Sequence, residues 1–174
     1  MIRAAVLTIS DSVYAGRRED VSGPAVKSRL EELGWCVAVS EVLPDEEEQI
    51  AGRLRELADG GQVAAIFTTG GTGLAARDVT PEATRQVIER EAPGLAEWMR
   101  AQGRRSTPLA LLSRGVAGTR GRVLIVNLPG SPRGALESLN AIVDVVPHVL
   151  DLLRGQTDHP ESAETGTGQG TSRA

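Results

Sequence analysis

The sequence predicts an α/β fold with a largely parallel sheet, on three observations. Four short runs are apolar and rich in β-branched residues. Segments with apolar residues three to four apart, the helical period, separate them. The runs are apolar almost throughout rather than alternating, as in strands covered on both faces. A length of 174 residues suggests one domain, and an apolar share of 40% is enough to bury a core.

The elements follow in order. Ile2–Ile9 is the first strand. Ser22–Leu33 is a helix with Val26, Leu30 and Leu33 on one face, and Cys36–Leu43 is the second strand. Asp45–Ala58 is a helix burying Ile50, Leu54 and Leu57. Asp45 reads as its cap, because Glu48 stands three residues on in a capping-box pattern with acids in the first turn. Val63–Thr68 is the third strand. Pro81–Glu91 is a helix of weaker period, with Thr80 as N-cap and Pro81 as first residue. Gly94–Ala101 is a further short helix, and Arg122–Leu128 is the fourth strand. The last helix starts at Pro132 and carries Leu136, Leu139, Val143, Val146, Leu150 and Leu153, with a kink near Val146 because Pro147 lies inside it. After Gly155 apolar content almost vanishes. Residues 1–156 are expected to fold, and 157–174 to form a flexible polar tail that buries too little to offset its ordering entropy.

Composition narrows the function. Only four residues are aromatic, which argues against base-stacking nucleic-acid platforms. A net charge of −4 argues against general nucleic-acid or membrane-surface binding. Cys36 is the single cysteine, so an intramolecular disulfide and a multi-cysteine metal site are excluded. The N-terminus lacks a signal-peptide pattern, and no run has the 18 or so apolar residues of a membrane span. A cytoplasmic protein is expected.

Open parallel sheets bind ligands beyond the C-terminal ends of their strands. All four strands end in candidates. After the third strand comes Thr69-Gly70-Gly71-Thr72-Gly73. Its glycines permit positive φ, so that successive N–H groups converge on one anion, and Thr69 and Thr72 add hydroxyls. Neither a Walker loop nor a dinucleotide fingerprint is present. As a bare pattern the stretch reads equally as a flexible strand-to-helix turn. Asp78 follows, two residues before the expected cap. A carboxylate beside a phosphate loop implies an intervening cation, and Mg²⁺ commonly fills that role. The alternative is a surface ion pair with Arg77. The fourth strand runs into Pro129-Gly130-Ser131-Pro132, where Ser131 reads as N-cap and Arg133 adds charge, a second anion site. Ser10 and Asp11 either contact a ligand or end the first strand. His148 reads as structural, and with His159 in the tail a triad or zinc site is not expected.

The stretch "TTGGTGLAARDVTPEAT" (Thr68–Thr84) closely resembles the signature of the MogA/MoaB and gephyrin G-domain family of molybdenum-cofactor biosynthesis. The resemblance includes "TISDS" at Thr8–Ser12, "DVSGP" at Asp20–Pro24, "VLPDE" at Val42–Glu46, "LSR" at Leu112–Arg114 and "NLPGSP" at Asn127–Pro132, in order across roughly residues 2–154. It implies a three-layer α/β sandwich with a central, mostly parallel sheet, usually a trimer. The implied activity is adenylylation of molybdopterin by Mg-ATP, with adenylyl-molybdopterin and pyrophosphate as products and a molybdate-insertion protein downstream. By resemblance Asp45 and Asp78 are the catalytic and Mg²⁺-associated pair, which replaces the cap reading of Asp45. The Gly-rich loop and the Pro129-Gly130-Ser131 turn hold phosphates, and Ser113 lies near the pterin. A reading of a different class is a non-catalytic pterin- or nucleotide-binding protein of the MoaB type, or a competence-damage-type nucleotide module. Turnover separates the two.

Overall fold

Six of the seven residues of β1 (Arg3–Ile9) are buried, which requires a strand interior to the sheet and covered on both faces. The structure, a computed structural model, describes residues 1–156. The tail expected at 157–174 lies outside the described residues. β1 pairs in parallel with β2 (Cys36–Leu43) on one side and β3 (Ala65–Thr69) on the other. β6 (Val123–Leu128) continues the parallel set beside β3. β5 (Ala117–Arg120) and β4 (Arg90–Glu91) close that edge antiparallel, for the sheet order β2-β1-β3-β6-β5-β4.

The four expected strands are present and mutually parallel; β4 and β5 were not foreseen. β4 has two exposed charged residues and β5 reads AGTR, so neither carries a strand period. The available signal was Gly121 (φ +52°) in the turn that joins β5 to β6.

Helices cover both faces. α2 (Ser22–Glu32), α5 (Pro93–Gly103), α6 (Pro132–Ile142) and α7 (Val146–Leu153) pack with Val6, Phe67, Leu124 and Val126 on one face. α3 (Glu47–Asp59) and α4 (Thr80–Arg85) pack with Leu7, Ile66 and Ile125 on the other. The result is a three-layer α/β sandwich. A short helix α1 (Asp11–Tyr14), capped by Ser10, follows β1 directly.

Several boundaries differ from expectation. α3 starts at Glu47 rather than Asp45. α4 starts at Thr80 itself, whose hydroxyl donates to the Gly70 carbonyl at 2.9 Å instead of capping the helix, and it ends at Arg85 rather than Glu91, since Arg90 and Glu91 pair with β5 as β4. The last helix breaks between Ile142 and Val146, ahead of the expected kink. The ring of Pro147 conflicts with the carbonyl four residues earlier, Val143, so the break falls there and Pro147 enters the first turn of a new helix. His148 is exposed on α7 rather than structural. No helix among the described residues is long and apolar enough to cross a membrane.

Candidate functional site

After β1 the chain turns to one side of the sheet through α2 and returns across it through α3, so the connections diverge between β1 and β3. That divergence opens a crevice at the strands' C-terminal ends, the place where such sheets bind ligands. Two adjoining cavities fill it. The polar one, of about 830 Å³, is lined by Ser10, Asp11, Asp20, Asp45 and Thr69, with Arg17 and Arg18 at its rim. The other, of about 470 Å³, is walled by Met99, Leu109 and Leu112, with Thr72, Gly73 and Ser113 on its polar side. Gly71, Asp78, Gly130 and Ser131 line both and mark their junction.

Asp11 and Asp45 hold each other across the ends of β1 and β2. The Asp11 N–H donates to Asp45 Oδ2 at 2.8 Å, and the Asp45 N–H donates to Asp11 Oδ1 at 2.9 Å. Asp45 is therefore not the cap its spacing suggests. Glu46 occupies the cap position of α3 without a side-chain bond, its carboxylate paired with Arg77 at 2.9 Å. Arg77 also grips Asp11 through Nε at 2.9 Å and does not pair with Asp78. The guanidinium of Arg77, and then the Asp45 N–H, hold Asp11 below its ordinary pKa. Asp45 moves the other way. Burial raises its pKa, and the charges of Asp11 and Asp78 add to that.

Asp78 sits where the Gly-rich loop returns to α4. Its Oδ2 accepts the Ala75 N–H at 3.0 Å. Asp45 and Asp78 thus share one arrangement, in which one oxygen is tethered by a backbone N–H while Oδ1 accepts no hydrogen bond from any described residue.

The Gly-rich loop is only partly the anion cradle its composition suggests. Thr69 is fully buried and its hydroxyl donates to the Pro129 carbonyl at 2.7 Å. The Gly70 N–H donates to the Leu128 carbonyl at 3.2 Å. These two residues knit β3 to the Pro129-Gly130 turn and offer no donor to a phosphate. Gly70 (φ +104°) and Gly71 (φ +66°) both need the left-handed region, and a Cβ on Gly71 would stand 2.3 Å from Thr80 Oγ1. The N–H groups of Gly71, Thr72 and Gly73 donate to no described residue and line the cavities, which leaves them for an anion. Ser131 caps α6, accepting the Gly134 N–H at 3.1 Å, and this helix N-terminus faces the same junction. Arg133, expected to add charge, pairs with Glu137 on its own helix at 2.8 Å.

Spacing alone did not reveal what supports this site. Asn127, 1% exposed, donates to Thr68 Oγ1 at 3.0 Å and Thr84 Oγ1 at 2.9 Å and accepts the Val116 N–H at 3.2 Å. Arg100 of α5 donates to the carbonyls of Ser113 and Gly115. Asp20 accepts from Thr8 Oγ1 at 2.8 Å and from the Gly23 N–H at 3.1 Å. A buried asparagine at the end of a strand was the one available hint.

The carboxylates suit a hard cation of the Mg²⁺ type. Among the described residues no group of three or more His, Cys, Asp or Glu forms a closed metal cage. One or two carboxylates completed by phosphate oxygens and water is the usual Mg²⁺ arrangement. The unbonded Oδ1 atoms of Asp45 and Asp78 fit that role, as does the raised Asp45 pKa, caused first by burial and then by the charges of Asp11 and Asp78.

The profile of the family described as "Probable molybdopterin binding domain" matches residues 5–148. A molybdopterin adenylyltransferase of Helicobacter pylori is 40% identical over 156 residues, spanning 88% of this chain and 89% of that protein. The molybdenum cofactor synthesis protein cinnamon of Drosophila melanogaster is 40% identical over 149 residues; the match spans 85% of this chain but a quarter of cinnamon. Among solved structures, the molybdopterin biosynthesis enzyme MoaB of Thermus thermophilus superposes with a TM-score of 0.84 at 53% identity, covering 89% of this chain and 98% of that one.

Proposed function

The chain belongs to the molybdopterin-binding domain family of molybdenum-cofactor biosynthesis, and from that premise we propose that it adenylylates molybdopterin with Mg-ATP, releasing pyrophosphate. The observation that carries this reading is the two-chambered crevice with Asp78 at its junction. An apolar chamber suits a planar pterin and a polar one suits a nucleotide. Their shared wall is where the two substrates' phosphates meet.

In this reading the terminal phosphate of molybdopterin attacks the α-phosphorus of ATP. A bond forms from the phosphate oxygen to that phosphorus, the α–β bridging bond breaks, and pyrophosphate leaves with its electron pair. The nucleophile is already ionised near neutral pH, so no general base is required. The barrier is dominated by bringing two anions together in line. The free N–H groups of Gly71, Thr72 and Gly73 and the α6 N-terminus hold phosphate oxygens at the junction. Ser113 faces the pterin chamber, its position fixed by Arg100. Asp45 and Asp78 would hold the cation, with Asp11, itself gripped by Arg77, keeping Asp45 in place. Mg²⁺, when bound, neutralises charge on the departing pyrophosphate.

The same reading makes the protein a homotrimer. Trp98 and Leu111 are exposed apolar residues of the kind an assembly covers. Light scattering at the monomer mass of 18.3 kDa would contradict it. The deciding experiment incubates the protein with molybdopterin and Mg-ATP and follows pyrophosphate. Release that requires both substrates and stops with EDTA is expected. Binding of molybdopterin without turnover would instead establish a non-catalytic carrier.

A further inference from the structure

We propose that Arg114 is a positioning residue for the reaction, a single side chain that sets where the Asp78 carboxylate stands relative to Ser113. The inference rests on the adenylyltransfer reading and deepens it. The loop from Leu74 to Arg77 is exposed. Its own ties are the Asp78 N–H to Ala75 carbonyl bond, the Ala75 N–H to Asp78 carboxylate bond and the ion pairs of Arg77. The base of the loop is closed by Thr80, whose N–H and hydroxyl donate to the Gly71 and Gly70 carbonyls, and nearer the loop Arg114 supplies a tie at each end. Its backbone N–H donates to the Thr72 carbonyl at 2.8 Å. Its Nε donates to the Gly73 carbonyl at 2.7 Å, where the loop leaves, and one terminal nitrogen donates to the Asp78 carbonyl at 2.8 Å, where it returns.

The guanidinium is itself anchored by Glu82 on α4, so the loop is referenced to the helix that follows it. A fork of fixed geometry can bind two carbonyls and a carboxylate at once, which a lysine ammonium cannot match. Arg114 also follows Ser113 directly, and the Ser113 carbonyl is held from the other side by Arg100. The wall of the pterin chamber and the base of Asp78 therefore share one rigid element. Clearance at the loop is small: a Cβ on Gly73 would lie 2.8 Å from Asp78 Oδ2. Arg114 itself lines neither chamber. It acts by position, where a displacement of about 1 Å costs on the order of 100-fold in rate.

Arg114→Met keeps the aliphatic stem and removes the fork. We expect kcat to fall about 10-fold to 100-fold with a smaller change in the KM for molybdopterin. The loss should not add to that of Asp78→Asn: in the Asp78→Asn background Arg114→Met should cost less than about 2-fold, because the group it positions is already disabled. Independently of activity, amide exchange of the peptide over residues 73–79 should accelerate about 10-fold or more, with the core strands unchanged. Arg114→Lys should recover only part of the rate and of the protection. It is read by the same measures should Arg114→Met not fold. A residue that merely stabilises the fold predicts instead a general loss of protection and rate losses that multiply with Asp78→Asn. Either result, or a wild-type rate in both variants, overturns the inference. If the wild-type protein releases no pyrophosphate, adenylyltransfer itself fails. If it turns over and the variants match it, only the role of Arg114 fails.

Discussion

Asp45→Asn removes one negative charge and little else. The amide oxygen still accepts the Asp11 N–H, and the Asp45 N–H still donates to Asp11, so the reciprocal pair across β1 and β2 survives. The lost charge is one that the fold resists. Burial is the largest cause of the raised Asp45 pKa, followed among the raising effects by the charges of Asp11 and Asp78, against the Asp11 N–H and Arg77. Neutralising the group should therefore raise the melting temperature. The group is half-buried and solvent screens it, so the gain stays within about 1 kcal/mol, the scale of a change that breaks no packing. At about 2–4 °C per kcal/mol for a domain of this size, the rise is at most about 4 °C.

Turnover should move in the opposite direction. If Asp45 and Asp78 hold the cation that screens the leaving pyrophosphate, losing one ligand should reduce kcat by about 100-fold or more, which is about 2.7 kcal/mol at 1.36 kcal/mol per decade. The assay is pyrophosphate release at saturating Mg-ATP and molybdopterin, with thermal melting on the same preparation. A stabilised, slow enzyme is the expected signature of a functional carboxylate kept at the expense of stability. Wild-type turnover would remove Asp45 from the site. A melting temperature lowered by several degrees would make it a structural residue.

Asp78→Asn should leave folding and molybdopterin binding intact, since the Asn oxygen still accepts the Ala75 N–H, while adenylylation falls about 100-fold or more in the same pyrophosphate assay. Asn127→Leu fills the space but leaves the buried Val116 N–H unpaired and strips partners from Thr68 and Thr84. At about 1–3 kcal/mol per orphaned group, urea midpoints should report a loss of about 3 kcal/mol. Acid should destabilise the protein, with a definite sign. Arg77 holds the Asp11 pKa down and Arg114 does the same for Glu82, so both contribute stability that is fully present above about pH 4.5 and lost as pH falls through their depressed values. Asp45 opposes this, because its raised pKa makes the fold take up a proton before the unfolded chain does. Carboxylate NMR in Mg²⁺-free protein should find Asp45 titrating above about 3.9 and moving down in Asp78→Asn, and Asp11 titrating below it.

The strands and helices were legible because each carries its burial pattern locally. β1, β3 and β6 are mostly apolar runs, buried almost throughout, and α3 and α6 repeat apolar residues at the helical period. β4 and β5 were not legible because their place depends on pairing, β5 to β6 and β4 to β5, not on any preference of RE or AGTR. The motifs at the strand ends line one crevice, since the C-terminal edge of a parallel sheet is a property of chain order.

Motif chemistry did not distinguish donors that face a ligand from those that face the protein. Thr69 and the Gly70 N–H looked like phosphate donors, yet they bond Pro129 and Leu128, distant in sequence, which only the β3–β6 pairing brings alongside. Asp45 looked like a helix cap and became half of a bridge to Asp11 for the same reason: β1 and β2 end at the same height. The sequence by itself determined the helix and strand periods, the four parallel strands and the family signature, because these reside in residues close together along the chain. Tertiary structure alone decided which polar groups remain unpaired and free to act, because a hydrogen bond is a matter of a few tenths of an ångström between atoms that the chain's order does not bring together.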